Sequence, residues 1–333
     1  AVLIAILAAG LMGRSAMAGP IDDYGIDFAT IGAPGNAGIY PENIPYLHGR
    51  GAVNYEYRLS RTEITTSQWF EFVQAYAPYY SHDQGFISGF TGSYIGLRPT
   101  GSINDPDTYI LYPGNENIPT NMSWRMAARY CNWLHNGKAT NQEAFESGAY
   151  DVSTFVPDGE GGVSDQLTRS PGAKYWIPSF DEWIKGMHYD PALNDGAGGW
   201  WEHPNSSKEP LLPGLPGEGQ TNATLEALGG GEWWNVGSYP DQQSPWGLLD
   251  GSGGMSEWTE GAPESTGTLR WAKGSSIGSL SHEWEDHLTT TWGWPPSTTI
   301  YEGLRLAASV PSPGAGVVLA WAYFICISRR CRT

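Results

Sequence analysis

The chain has 333 residues, of which 40% are hydrophobic and 13% aromatic, so one large domain or two small ones can bury a sizeable core. Thirty-five Asp and Glu residues outnumber 18 Lys and Arg residues, and the formal charge of -17 repels phosphate backbones. We therefore expect no nucleic acid among its partners. The 44 Gly and 24 Pro residues predict a loop-rich globule whose irregular segments are held down by buried aromatic side chains.

The chain begins with an apolar run that ends in Ala16-Met17-Ala18, which places small residues where a signal peptidase requires them. Residues 1–18 are therefore predicted to be a signal peptide that directs export. An ordinary buried N-terminal helix is the alternative. Residues 19–50 are rich in Gly, Pro and Asp and are predicted to lead into the domain, with one strand-like stretch at 28–31.

The body of the chain shows a mixed pattern of short strands and capped helices separated by long loops. Ser67, Ser123 and Ser179 each precede a stretch with helical apolar spacing, as N-cap residues do. Residues 83–117 and 190–231 are predicted to be loops. This mixture predicts an α+β fold. The predicted elements are a strand at 53–59, a helix at 68–76, a helix at 124–135, a short strand at 174–179 and a third helix through Asp181 and Met187.

The C-terminal segment combines a Pro-containing box, Val310-Pro311-Ser312-Pro313, with a 13-residue apolar run and a terminal basic cluster. A free-standing transmembrane helix needs about 20 residues, although basic residues favour retention of a short segment on the cytoplasmic side. Residues 310–333 resemble the PEP-CTERM sorting tails of bacteria, with Ser312 in place of the Glu of the box. The resemblance implies a surface-tethered protein that contacts the membrane through this tail. A plain tail anchor or a buried C-terminal helix are the alternatives.

Five segments between residues 51 and 309 occur in an order that resembles the formylglycine-generating enzyme, or sulfatase-modifying factor, family. That family has a C-type-lectin-like α+β fold with little regular structure, and the resemblance implies the same fold here. The segments are VNYEYRLSRTEITTSQWFEF (53–72), IPTNMSWRMAARYCNWLHNG (118–137), GAKYWIPSFDEWIKGMHYDP (172–191), VGSYPDQQSPWGLLDGSGGMSEWTEG (236–261), and the pair LRWAKGSS (269–276) and GLRLA (303–307).

A Gly-rich turn between Asp250 and Glu257 places two carboxylates near backbone carbonyls that can point inward, and such an oxygen-only set suits Ca²⁺. The family binds a structural calcium at the positions that correspond to Asp250, Gly253, Met255 and Glu257. These four residues are therefore the predicted calcium ligands. A calcium-free turn with two solvated acids is the alternative, and Gly254 replaces the Asn of the family pattern.

The enzymes of this family use two cysteines as copper ligands, and thiolates are the soft donors that Cu(I) prefers. By register, Ser279 and Trp284 stand at those positions, and no cysteine occurs between residues 132 and 325. We therefore expect neither copper nor the family's oxidase chemistry, and no catalytic residue is predicted. Cys131 lies in a predicted helix with apolar spacing and is interpreted as a small core residue.

An acidic and histidine-rich cluster remains near the lost thiols, at His282, Glu283, Glu285, Asp286 and His287. Its spacing matches neither a His-Glu-x-x-His helix nor a facial triad. We interpret it as loop residues on a solvated rim.

Two hypotheses for the function follow. The first is a non-catalytic binding or structural module at the cell surface or in the extracellular matrix, whose partner is an extracellular protein, peptide or polysaccharide. The second is an oxidoreductase of altered mechanism that uses the cluster at 282–287 with a different metal.

Overall fold

A computed structural model describes residues 23–81, 87–92, 96–155, 165–261, 269–297 and 299–311, without the side chains of residues 87 and 88. The predicted signal peptide at 1–18 and nearly all of the predicted sorting tail lie outside the described residues. Residues Asp27–Val310 form one compact unit, which carries every element described below. The other unit comprises 1–26 and 311–333, and in its described part the amide of Ile26 donates to the carbonyl of Asp23 (3.1 Å).

Seven α-helices, most of them short, occur among the described residues. The three longest are α1, α3 and α5, and they carry the hydrophobic faces that pack into the core. None of the helices in the described ranges has the length and apolarity that a membrane crossing requires. The helices are α1 (Thr66–Tyr76), α2 (Ile87–Thr91), α3 (Trp124–His135), α4 (Glu143–Glu146), α5 (Phe180–His188), α6 (Leu193–Gly196) and α7 (His282–Glu285).

Short strands form two four-stranded sheets and two hairpins in the described part of the chain. The first sheet has the order β1-β2-β12-β5, and the second has the order β10-β9-β8-β11. The hairpins are β3-β4 and β6-β7. The strands are β1 (Phe28–Ile31), β2 (Tyr57–Ser60), β3 (Leu97–Pro99), β4 (Tyr109–Leu111), β5 (Tyr175–Trp176), β6 (Tyr189–Asp190), β7 (Gly199–Trp200), β8 (Ser256–Trp258), β9 (Arg270–Lys273), β10 (Trp292–Trp294), β11 (Glu302–Gly303) and β12 (Ala307–Ala308).

The loop-rich α+β fold class is confirmed. Helix α3 begins after Ser123 and ends before Asn136, as predicted, and α5 begins after Ser179. The Ser179 side chain accepts from the amide of Glu182 (3.1 Å), and the Glu182 carboxylate accepts from the amide of Ser179 (2.7 Å). This reciprocal capping box satisfies two amides that helix geometry leaves without a partner.

Three predicted details of local structure are wrong. The N-cap of α1 is Thr65 rather than Ser67, since the Thr65 hydroxyl accepts from the amide of Gln68 (3.4 Å) and the Gln68 side chain accepts from the amide of Thr65 (3.0 Å). The strand predicted to begin at Val53 begins at Tyr57, because the Val53 amide donates to the side chain of Asn36 (3.1 Å) instead of to a neighbouring strand. The loop predicted at 83–117 contains the hairpin β3-β4, and the loop predicted at 190–231 contains β7 and the last residue of β6. These strands are too short to show alternation.

Aromatic side chains from α1, α2, α3 and α4 pack together in the core. Phe72 stands at the centre of this cluster, with its ring centroid 4.7 Å from that of Trp69 and 5.6 Å from that of Tyr130. Phe90 and Phe145 close the cluster at 6.5 and 6.0 Å. Each large ring buries about 150–250 Å², so such a cluster stabilises a protein with little regular structure.

The sheet connections bring the end of the domain back to its beginning. Strand β12 lies between β2 and β5, with Ala307 opposite both Leu59 and Trp176. Strand β11 runs parallel to β8, with Gly303 opposite Glu257. The GLRLA segment therefore lies directly against the Gly-rich turn that precedes β8.

Candidate functional site

The turn at 250–257 is held by side chains from distant parts of the chain. The amide of Gly253 donates to the Ser275 hydroxyl (3.1 Å), that of Gly254 to Asn222 Oδ1 (2.8 Å) and that of Met255 to Glu63 Oε1 (2.7 Å). Gly254 has φ +59°, and a Cβ there would meet Glu63 Oε2 at 2.4 Å. Glycine therefore replaces the family's Asn at a position where a side chain has no room.

Glu257 is paired with a buried arginine. Arg305 donates from Nη2 to Oε1 (2.7 Å) and from Nε to Oε2 (2.9 Å), while Trp183 Nε1 donates to Oε2 (2.5 Å). Both side chains are essentially inaccessible. A carboxylate whose two oxygens already receive three charge-assisted or indole hydrogen bonds does not fit the role of a free calcium ligand.

Asp250 fits that role better. It has φ +55°, and its Oδ2 accepts from the amide of Gly237 (2.7 Å). Burial raises the pKa of the Asp250 carboxyl to about 6, with repulsion from Glu257 as a smaller cause. The hydrogen bond from the Gly237 amide and the positive charge of Arg305 lower the pKa of Asp250 and offset part of this rise.

Glu63 contributes a further carboxylate at this turn; it is buried and is not among the predicted ligands. Burial, followed by repulsion from Glu257 and Asp250, raises the pKa of Glu63 well above its usual range. The sequence gives only a weak signal, because Glu63 precedes the apolar Ile64 and stands two positions before Thr65. Nothing local, however, indicates that its partner is an amide 192 positions further along the chain.

Glu63 and Asp250 line a polar cavity of about 10 Å³, which has room for a single water molecule or ion. Asn222, Ser252 and Gly254 line it as well. The carboxylates of Glu63 and Glu257 are buried at this turn and that of Asp250 is half-buried. Arg305 offsets part of their mutual repulsion, and an added cation would relieve more of it. Within the described ranges, no three His, Cys, Asp or Glu side chains converge closely enough to hold a metal by themselves.

Ser279 and Trp284, the two positions predicted to replace the copper thiols, have different surroundings. The Ser279 hydroxyl accepts from the amide of Ser276 (2.7 Å) and donates to Glu285. Trp284 is 57% exposed, and its ring stacks on that of Trp292 with centroids 6.3 Å apart. Ser279 is thus part of a hydrogen bond between a hydroxyl and a carboxylate, and Trp284 is part of an aromatic surface.

The interpretation of residues 282–287 as a solvated loop is wrong for its two buried members, His282 and Asp286. Residues 282–285 form α7, and His282 and Asp286 are 5% and 1% exposed. Asp286 accepts from the amide of Ser275 (2.6 Å), which requires it to point inward. His287 instead contacts the Thr289 hydroxyl (3.0 Å) through Nδ1, so the two histidines serve separate local contacts.

Cys131 lies in α3 and is completely buried, as predicted. Burial raises the pKa of its thiol well above the usual range. The thiolate, which is the reactive form, is therefore disfavoured at this position.

Comparisons with known proteins agree with this architecture. Residues 50–310 match the family described as "Sulfatase-modifying factor enzyme 1-like domain". Among solved structures, CarF is similar over 86% of this chain and 99% of its own, with 18% identity and a TM-score of 0.53. Treponema denticola variable protein 1 is similar over 85% of this chain and 95% of its own, with 16% identity and a TM-score of 0.52. No curated protein matches the sequence.

At these identities the two structures bear on the fold alone, whereas the family match spans most of the sequence. It includes the Gly-rich turn, the paired Glu257 and Arg305, and the two positions that carry Ser279 and Trp284. The chain belongs to the sulfatase-modifying factor enzyme 1-like domain family.

Proposed function

We propose that this protein is a non-catalytic binding module of its family, exported and displayed at the cell surface or in the extracellular matrix. The observation that carries the proposal is the surroundings of Ser279 and Trp284, where the enzymes of the family hold copper. A hydroxyl bonded to Glu285 and an exposed indole provide no soft donor for Cu(I).

An exposed aromatic surface supports a binding role. We define the aromatic surface as Trp284, Trp292 and Trp294. Trp292 and Trp294 are two positions apart in β10 and therefore point to the same face of the strand. Strand β10 forms an edge of the second sheet, and Trp294 is 41% exposed. Exposed tryptophans offer a large contact area with few rotamers to order, as recognition surfaces for sugars and peptides do.

The binding role is tested by retention of the purified domain on extracellular polysaccharide and on immobilised surface proteins. We expect Trp284→Ala and Trp294→Ala to weaken retention about tenfold, the equivalent of about 1.4 kcal/mol. Leu228→Ala is the matched control, because Leu228 is 75% exposed and lies outside the aromatic surface. Unchanged retention in both tryptophan variants would contradict the role of this surface.

Catalysis is tested separately. The purified domain is incubated with copper and a cysteine-containing peptide, and the peptide is analysed for formylglycine. The oxidoreductase alternative, in which residues 282–287 hold another metal, predicts a stoichiometric transition metal that His282→Ala or His287→Ala removes. Turnover that depends on either histidine would overturn the proposed function.

We also propose that the turn at 250–257 holds a structural calcium ion, with Asp250 and the adjacent Glu63 as its carboxylate ligands. The support is the buried carboxylate of Glu63 and the half-buried carboxylate of Asp250, which line a cavity the size of one ion. Calcium should raise the melting temperature of chelator-treated protein, and Glu63→Gln or Asp250→Asn should abolish the rise. An equal rise in both variants would place the ion elsewhere.

A further inference from the structure

A cleft of about 500 Å³ opens beside α7 and has the size of a small-molecule site. Its lining comes from the loop that contains Glu209, Leu211 and Leu212 and from α7, which contributes His282 and Glu283. The cleft does not include the turn at 250–257 or any member of the aromatic surface. The cleft is therefore separate from both of these features, and no sequence motif predicts it.

Several of the polar side chains that line the cleft offer hydrogen-bond acceptors, and Ser207 and Gln220, which can both donate and accept, line it as well. Glu209 and Glu283 contribute carboxylates. Asn205 donates from Nδ2 to Gln242 Oε1 (3.1 Å), and its Oδ1 is buried without a hydrogen-bond partner among the described residues. A buried acceptor without a partner is costly, and a ligand that donates a hydrogen bond would satisfy it.

His282 adds a fourth acceptor. Its Nε2 lies 2.9 Å from the carbonyl oxygen of Leu211, and because a carbonyl can only accept, Nε2 carries the proton. In the neutral ring, Nδ1 then presents a lone pair, and it lies 3.7 Å from Glu283 Oε2. Two acceptors at this separation can share one donor placed between them.

The remaining walls are aliphatic. Leu212 is 67% exposed, and Pro210 and Pro213 flank the Leu211–Leu212 pair. The residues that line the cleft include no Phe, Tyr or Trp ring on which a sugar could stack. A ligand that fits these walls has a donor-rich head for the acceptors and an aliphatic stem for the leucine and proline side chains.

We propose that this cleft binds a primary alkylammonium ion, supplied either by a lysine side chain of a peptide or by a free polyamine. An ammonium group has three donors and no acceptor, which complements Glu209, Glu283 and Asn205 Oδ1. The net charge of -17 increases the local concentration of such cations. The inference rests on the proposed binding role and specifies one ligand class for it.

Isothermal titration of the full chain tests the proposal with acetyl-Gly-Lys-Gly-amide, its norleucine counterpart and spermidine as probes. The lysine peptide or spermidine should bind at least about tenfold more tightly than the norleucine peptide. Glu209→Gln and Glu283→Gln should each weaken binding by about tenfold, since each removes one charge-assisted contact. Binding of the peptide alone identifies a protein partner, and binding of spermidine alone identifies a free polyamine.

Glu232→Gln is the matched control, because it removes one exposed carboxylate outside the cleft and should leave binding unchanged. Equal affinity for the lysine and norleucine peptides, no binding of any probe, or binding unaffected by both cleft variants would overturn the inference. These results leave the proposed function intact, since that function fails only on turnover or on unchanged retention of the aromatic-surface variants. Melting curves of each variant verify that it is folded.

Discussion

At the scale of single residues, the most consequential contact is the buried pair of Glu257 and Arg305. The carboxylate receives hydrogen bonds from Arg305 and Trp183, and Arg305 also donates to the carbonyl oxygens of Ser60 (2.8 Å) and Leu249 (2.7 Å). The pair thus joins β2, the Gly-rich turn and the GLRLA segment. The sequence identified Glu257 as important and assigned it a different partner.

Arg305→Met should destabilise the protein by about 3–5 kcal/mol, because it leaves the Glu257 carboxylate buried without its cation. Urea unfolding measures the loss. Arg98→Met, at an exposed arginine that stacks on Tyr112, should cost less than about 1 kcal/mol. Glu257→Gln in the Arg305→Met background should recover part of the loss, and no recovery would contradict an origin in the unpaired charge.

At the scale of elements, helix ends follow local rules, and most of them could be predicted. Ser123 and Ser179 cap α3 and α5 because their hydroxyls reach the amides three residues ahead. The short strands could not be predicted with the same accuracy. Strands of two to four residues have too few alternating positions to reveal a period, and their pairing depends on segments far away in the sequence.

Two substitutions at the start of α1 distinguish the observed cap from the predicted one. Thr65→Ala should cost about 1 kcal/mol, since it removes the acceptor of the Gln68 amide. Ser67→Ala should cost less than about 0.5 kcal/mol, because the Ser67 hydroxyl contacts only the Thr65 hydroxyl (3.1 Å) among its described side-chain contacts. Thermal unfolding compares the two variants, and a larger loss for Ser67→Ala would restore the original assignment.

At the scale of the whole molecule, the fold buries charged groups that it draws from distant segments. Glu260 accepts from the Tyr150 hydroxyl (2.7 Å) and from Arg169 Nη1 (3.1 Å). Burial raises the pKa of Glu260 to about 7 and that of Asp286 to about 6. Such groups make the free energy of unfolding depend on pH.

Asp286→Asn should become more stable relative to the wild type as the pH rises from 4 to 7. The folded Asp286 holds its proton up to about pH 6, whereas the unfolded chain releases it near pH 3.8. The stabilisation that Asp286 contributes to the folded state is therefore complete below about pH 4 and is lost as the pH rises through 6. The uncharged Asn side chain avoids this loss of unfolding free energy, which amounts to at most about 3 kcal/mol in the wild type. Urea unfolding in chelator at each pH measures the difference.

Asp241→Asn, at an exposed aspartate, should show a difference from the wild type that does not vary with pH in this way. A pH-independent difference for Asp286→Asn as well would show that Asp286 is not the group that titrates.

The sequence by itself determined the fold class, the capped helices α3 and α5, the buried Cys131 and the absence of thiols at residues 279 and 284. Each of these depends on residue identity or on local spacing, which a linear sequence contains in full. Tertiary structure alone decided that Glu257 pairs with Arg305, that Glu63 joins Asp250, and that Asp286 is buried. Those outcomes depend on which strands lie side by side, and pairings such as β12 with β2 connect residues about 250 positions apart.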